Sequence, residues 1–256
     1  MLISQIISKP LVYSEVHESL KSATYKMLKF WKRRLPITKR GKLFAIITSM
    51  DLINAFYLNI DFELTIIDSK IYSEPVYFVY EDEKFDNIIE TLIKLKIGGL
   101  VIVDKNHKPI GVFTEKDALK FLEIKDLTAK DIMTHKPISL KETNITSPIT
   151  ILNTIVKTKF RNIPVVKENN EVSGIINSEF LLTFIALSNF DKNTFNSFSK
   201  ESLIVRSYPC VKENTQVRDI VKIFISNEKC DAVMIVNEEN KLVGIITERD
   251  ILQKCL

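Results

Sequence analysis

Gly244-Ile245-Ile246-Thr247-Glu248-Arg249-Asp250 is the stretch that decides the fold, because the chain says nearly the same thing three times before it. The earlier copies are Ala45-Ile46-Ile47-Thr48-Ser49-Met50-Asp51, Gly111-Val112-Phe113-Thr114-Glu115-Lys116-Asp117 and Gly174-Ile175-Ile176-Asn177-Ser178-Glu179-Phe180. Each is an apolar strand that ends on a hydroxyl or amide residue and then starts a helix. The intervals between residues 48, 114, 177 and 247 are 66, 63 and 70, the length of one small supersecondary unit. Pro10, Pro75, Pro137 and Pro209 precede these positions by 38, 39, 40 and 38 residues, so a second landmark keeps the register. A proline heading a strand sacrifices no ladder bond.

Working outward, each unit reads as strand, helix, strand, strand, helix. Helices are expected near 18–32, 84–96, 148–159 and 215–227, and Ile88, Ile89, Leu92 and Ile93 show helical spacing. Apolar pairs such as Leu100 to Val103 with Ile110 to Phe113 flank turn-forming residues. The strands barely alternate, as expected of sheets covered on both faces. A core of about 60 residues is marginal alone, so units must dock in twos through their sheets. The fold class is therefore α+β. Two pairs are expected, 1–124 (units 1–58 and 65–124) and 125–256 (units 128–188 and 199–256).

Composition excludes much. The chain has 256 residues, 45% apolar and 27% charged, ordinary for a globule, and its apolar runs are far shorter than a membrane span. No export leader is read at its start, so a cytoplasmic location is expected. Cys210, Cys230 and Cys255 are scattered, as are His17, His107 and His135, so neither disulfides, nor a metal site, nor a catalytic cluster is expected. Six glycines make no phosphate loop. The net charge is +4, yet Leu20 to Met50 holds nine bases and no acid. Such a positive field suits phosphates, or is a solvated face.

These residues resemble tandem CBS motifs, named after cystathionine beta-synthase, whose pairs form Bateman modules. The resemblance rests on Asp131-Ile132-Met133-Thr134 before Pro137, on Leu35-Pro36-Ile37 and Ile163-Pro164-Val165-Val166, and on the closing Thr247 to Leu252. With four motifs the chain is similar in architecture to the gamma subunit of AMP-activated protein kinase and to free-standing archaeal four-motif proteins. The resemblance implies a non-catalytic regulatory sensor for AMP, ADP, ATP or an adenosyl compound. Magnesium is left open, and so is the partner: an unknown protein or a second copy in a homodimer.

In the family, the hydroxyl and the acid three residues on serve ribose and phosphate, opposite the strand start of the paired unit. Carried over, Thr114, Lys116 and Asp117 face Arg33 and Arg34; Thr247, Arg249 and Asp250 face Arg161 and Asn162; Thr48 and Asp51 face Ile97, Gly98 and Gly99. The double glycine would let a purine approach closely. The plain alternative is helix capping, which needs the same Thr and acid. The third copy, with Asn177 and Phe180, lacks the carboxylate, so its groove is expected to be empty or altered. After the prolines, Leu11, Val12, Val76, Ile138 and Val211 are candidates to sandwich a base. A second reading stays open: a nucleic-acid binder, gated or not by nucleotide, using the basic segment 21–42 with Tyr25, Phe30 and Trp31 stacking on bases.

Overall fold

The computed structural model describes Ile3, Ile6, Ile7 and residues 11–255; Pro10 lies outside them. Each of the four repeats folds around a three-stranded core sheet in which a short leading strand runs parallel to the middle strand and the last two strands form an antiparallel hairpin. The hairpins are Arg34–Lys39 with Lys42–Thr48, Gly99–Val103 with Pro109–Thr114, Asn162–Val166 with Val172–Asn177, and Ala232–Val236 with Leu242–Thr247. Their registers place Arg34, Gly99, Asn162 and Ala232 opposite Thr48, Thr114, Asn177 and Thr247. Arg33, Gly98, Arg161 and Asp231, one residue earlier, are therefore equivalent.

The first helices, Leu20–Lys29, Phe85–Leu95, Pro148–Thr158 and Val217–Ser226, fall where helical spacing predicts them. The leading strands are shorter than expected, two or three residues each; those of repeats 2 and 3 begin at Phe78 and Leu140, three residues past Pro75 and Pro137, while that of repeat 4 begins at Cys210, directly after Pro209. The closing helices are uneven: Ser49–Tyr57, Ser178–Leu187 and Glu248–Cys255 are full helices, whereas Glu115–Ala118 is a single turn.

Two kinds of contact assemble the repeats. The segment before repeat 2 bridges to the last strand of repeat 1 at Ser73 and Ile46, and the segment before repeat 4 bridges to repeat 3 at Val205 and Ile175. Thr134–His135, ahead of repeat 3, pairs with Gly244 and Ile245 of repeat 4. Sheet faces meet as well, since Val166 and Ile175 of repeat 3 share a cluster with Ala232, Met234 and Leu242 of repeat 4. Helices make the other contacts: one core joins Leu20, Leu52 and Phe56 of repeat 1 to Leu152, Leu181 and Ile185 of repeat 3. A second joins Ile88, Leu92 and Phe113 of repeat 2 to Ile220, Phe224 and Ile251 of repeat 4. The repeats thus close into a ring in the order 1, 2, 4, 3, and the turns from last strand to closing helix meet near its centre.

The in-phase glycines belong to this assembly. A Cβ at Gly174 would lie 2.7 Å from Ile204 Cγ2 and 2.8 Å from the Val205 carbonyl oxygen, and one at Gly244 would overlap Met133 Sδ. At Gly111 it would come within 3.0 Å of Ile7 Cδ1 and 3.1 Å of Ile7 Cβ, a tight contact with one side chain and no backbone atom. Each glycine lets the partner repeat's leading segment cross the strand. Gly174→Ala, which meets backbone, is expected to cost about 2–3 kcal/mol, and Gly111→Ala about 1 or less. Urea unfolding of the two variants checks this, and equal losses would contradict it.

Candidate functional site

Three capping boxes stand where the repeated phrase puts them. Asp51 Oδ2 accepts from the Thr48 amide and hydroxyl, both at 2.7 Å. Asp117 Oδ2 accepts from the Thr114 amide at 3.1 Å and hydroxyl at 2.7 Å, and Asp250 Oδ2 accepts from both Thr247 donors at 2.7 Å. One carboxylate oxygen is therefore committed to the cap, and the other lies outside it. Asp117 Oδ1 has Lys120 Nζ at 3.2 Å, Asp250 Oδ1 accepts from Thr134 at 3.3 Å, and Asp51 Oδ1 has no hydrogen bond from a described residue. The helix after Thr114 is only one turn long, so its dipole is small.

A cleft of about 390 Å³ collects the first predicted group. Thr114, Lys116, Asp117 and Lys120 of repeat 2 line it together with Arg33, Arg34, Leu11 and Val12 of repeat 1. Phe30 and Trp31 add aromatic wall, and Ile225 and Glu228 reach it from repeat 4. A cleft shared by two docked repeats is thus partly closed by a third.

The bases lining it do unequal jobs. Lys116 Nζ donates to the carbonyls of Asn227 at 2.8 Å, Glu228 at 3.0 Å and Cys230 at 2.7 Å, which spends all three of its donors on repeat 4. Arg249, expected in another groove, donates from Nε to Glu115 Oε1 at 2.8 Å across the same boundary. Arg33 reaches further: Nη1 lies 3.0 Å from Asp231 Oδ2 and Nη2 lies 3.2 Å from Glu248 Oε1. Arg34 is different, for its guanidinium makes no hydrogen bond or ion pair with a described residue. Burial, with Arg33 and Arg161 alongside, pushes the Arg34 guanidinium down to about 9. Arginine stays protonated at ordinary pH, so that push expresses the electrostatic cost of its position.

Around Arg33 lies a buried charge cluster that repeat spacing does not disclose. Glu115, Glu179, Asp231 and Glu248 are all buried, the last completely. Burial alone would raise the Asp231 carboxyl, but Arg33 and Arg161, with donors from Tyr208 and Asn162, hold it below the usual range. Glu248 is pushed up by burial despite Arg33, and its Oε2 has no partner. Glu179 Oε1 accepts from the Ser49 hydroxyl at 2.9 Å, tying repeat 3 to repeat 1. Only the charge reversal at Asp231, which shares its register position with Arg33 and Arg161, hints at the cluster from sequence.

The remaining predicted residues fall elsewhere. The space beside Gly98, expected to admit a purine next to Thr48 and Asp51, holds the Arg34 guanidinium: a Cβ at Gly98 would overlap its Nη2 and lie 3.1 Å from Cζ. Gly99 packs on the Phe113 carbonyl oxygen, and Ile97 packs against the core of repeats 2 and 4. Asn162 turns to the third groove, where Asn177 Nδ2 donates to Asn162 Oδ1 at 2.9 Å and Asp231 Oδ1 at 3.0 Å. Tyr208 completes that set with a 2.9 Å bond to Asp231 Oδ1, while Asn177 Oδ1 caps the amides of Glu179 and Phe180. Opposite Asn177, the carboxylate of Asp231 from repeat 4 is thus engaged by Asn177 and Tyr208. Arg161 influences Asp231 and Glu248 electrostatically, and its guanidinium makes no hydrogen bond or ion pair with a described residue.

The basic segment 21–42 does not present one face. Lys21 pairs with Glu63 and Lys26 with Glu18, Lys29 and Lys39 lie over Phe30 and Phe44, and Arg33 and Arg34 turn inward while Arg40 stays exposed. Trp31 has Lys229 over its ring at 4.8 Å. Among the described residues, no helix is long and apolar enough to cross a membrane.

The CBS domain family matches residues 3–58, 69–124, 129–179 and 201–256, and the chain belongs to that family. Protein MJ1225 of Methanocaldococcus jannaschii is 26% identical over 253 residues, covering 86% of each chain. Its crystal structure superposes with a TM-score of 0.85 over 99% of both chains, at 24% identity. A conserved Pyrococcus horikoshii protein of uncharacterised function shares the fold over the full length of both chains, at 16% identity and a TM-score of 0.65. The four-repeat architecture is therefore common to all three.

Removing Arg33 strands two buried carboxylates. Arg33→Met is expected to cost about 3–5 kcal/mol at neutral pH. Orphaned acids gain protons more readily in the folded state, so the deficit shrinks as the pH falls through their raised native values. Urea titrations at pH 7 and pH 5 check both the size and the trend, and a deficit that grows toward pH 5 would contradict the assignment.

Proposed function

We propose that the protein is a non-catalytic regulatory sensor that binds an adenine nucleotide in the cleft between repeats 1 and 2. The observation that carries this reading is the pairing, across one 390 Å³ cleft, of Thr114 and Asp117 with the unpartnered guanidinium of Arg34. The volume lies in the range of small-molecule sites. A carboxylate with an oxygen to spare accepts sugar hydroxyls, and a guanidinium without an anion recruits phosphate. Leu11 and Val12 supply apolar surface for a base, and Phe30 and Trp31 offer rings. Occupancy acts by favouring one packing of the ring over another, because Ile225 and Glu228 of repeat 4 share the cleft with repeats 1 and 2. The reader of that change is a separate protein or a second copy of this chain. Thr48 with Asp51, and Thr247 with Asp250 and Thr134, are weaker candidate sites: Arg34 fills the space beside Gly98 opposite the first, and in the second the free oxygen of Asp250 already accepts from Thr134.

Calorimetry with AMP, ADP and ATP tests the assignment. Asp117→Ala is expected to weaken binding at least about tenfold, a loss of about 1.4 kcal/mol. It also removes a cap worth about 1 kcal/mol to stability. Asp131→Ala, which breaks the same kind of box with Thr128 outside this cleft, is the matched control and is expected to bind as wild type. Equal titrations for wild type and Asp117→Ala would refute the site.

A further inference from the structure

Arg34 lines the candidate cleft, yet its guanidinium lies along Gly98, in a place any side chain at 98 would occupy. Near that slot, a Cβ on Gly98 would also come within 3.1 Å of Glu115 Oε2, so the slot borders the buried acids of the ring centre. Glu115 and Glu248 attract the guanidinium there, and Arg33 and Arg161 repel it. It reaches no acceptor at hydrogen-bond distance, although the buried Glu248 Oε2 also lacks a partner. The slot therefore holds Arg34 without satisfying it.

We infer that Gly98 forms a parking slot for Arg34, and that an anion in the cleft draws the guanidinium out of the slot and onto itself. This rests on the cleft being the nucleotide site. Arg33 cannot play the same part, since it is anchored to Asp231 and Glu248, and Lys116 is held by three carbonyls. Arg34 is then the mobile positioning residue, and its departure removes one positive charge from beside Arg33 and Arg161. A ligand bound between repeats 1 and 2 thereby alters the electrostatic balance of the contact with repeats 3 and 4, with no change in the anchored bridges.

The slot makes a prediction opposite in sign to ordinary damage. In Gly98→Ala the new methyl group meets the far end of a flexible side chain, so the fold tolerates it while Arg34 is turned out in advance. Part of the cost of binding is then already met. Titration of ATP and AMP into wild type, Gly98→Ala, Arg34→Met and the double variant tests this. Gly98→Ala is expected to bind at least about threefold more tightly and Arg34→Met more weakly, with the double variant matching Arg34→Met. Binding to wild type with no gain in Gly98→Ala, or a gain that persists without Arg34, would overturn the slot and leave the site standing. If wild type bound neither nucleotide, the site itself would fall, and the slot with it.

Discussion

Arg33 holds two carboxylates from the far end of the chain, Asp231 and Glu248, 198 and 215 residues away in sequence. With 15% of its side chain exposed against 6% and 0% for those acids, none of the three is well solvated. Removing such charges from water is costly, and only mutual pairing with good geometry makes it tolerable. The ring of four repeats is bound by that requirement. If repeat 4 moved away from repeat 1, a buried guanidinium and two buried acids would lose their partners together. The cross-links from Lys116 to the loop around Asn227 and from Arg249 to Glu115 fasten the same boundary from repeat 2.

The carboxylates of the repeated phrase each commit one oxygen to closing a helix cap; the second meets Lys120 in Asp117 and Thr134 in Asp250, and in Asp51 has no hydrogen bond from a described residue. What separates the four grooves is the residue opposite. In one it is Arg34 without an anion; beside Thr48 it is glycine already covered by Arg34. In the third, Asn177 and Tyr208 both bond to Asp231. Repetition supplies equivalent positions, and a few side chains at register-matched places make them unequal.

Repetition made the fold legible: the Thr and Asp spacing, the phased prolines and the apolar strands specify local structure, and local structure determines each unit. The grouping of Thr114 and Asp117 with Arg33 and Arg34 came from the family resemblance, and the cleft lined by all four agrees with it. The centre was not legible. Glu115, Glu179 and Glu248 look like ordinary first-turn acids on exposed helices, and Lys116 and Arg249 look like phosphate ligands. Their partners lie across a boundary between pairs, and no short-range pattern encodes that contact. The in-phase glycines were read as part of the motif, but their cause is the segment of the neighbouring repeat that crosses them. Gly98 likewise was read as room for a ligand, and its neighbour is an arginine.

A crystal structure of the protein with an adenine nucleotide tests the account most directly. The account predicts the nucleotide between Leu11 and Asp117, its sugar hydroxyls on Asp117 Oδ1, its phosphate on Arg34, the slot beside Gly98 vacated and Arg33 still on Asp231 and Glu248. A nucleotide bound elsewhere, with Arg34 still lying along Gly98, would contradict it.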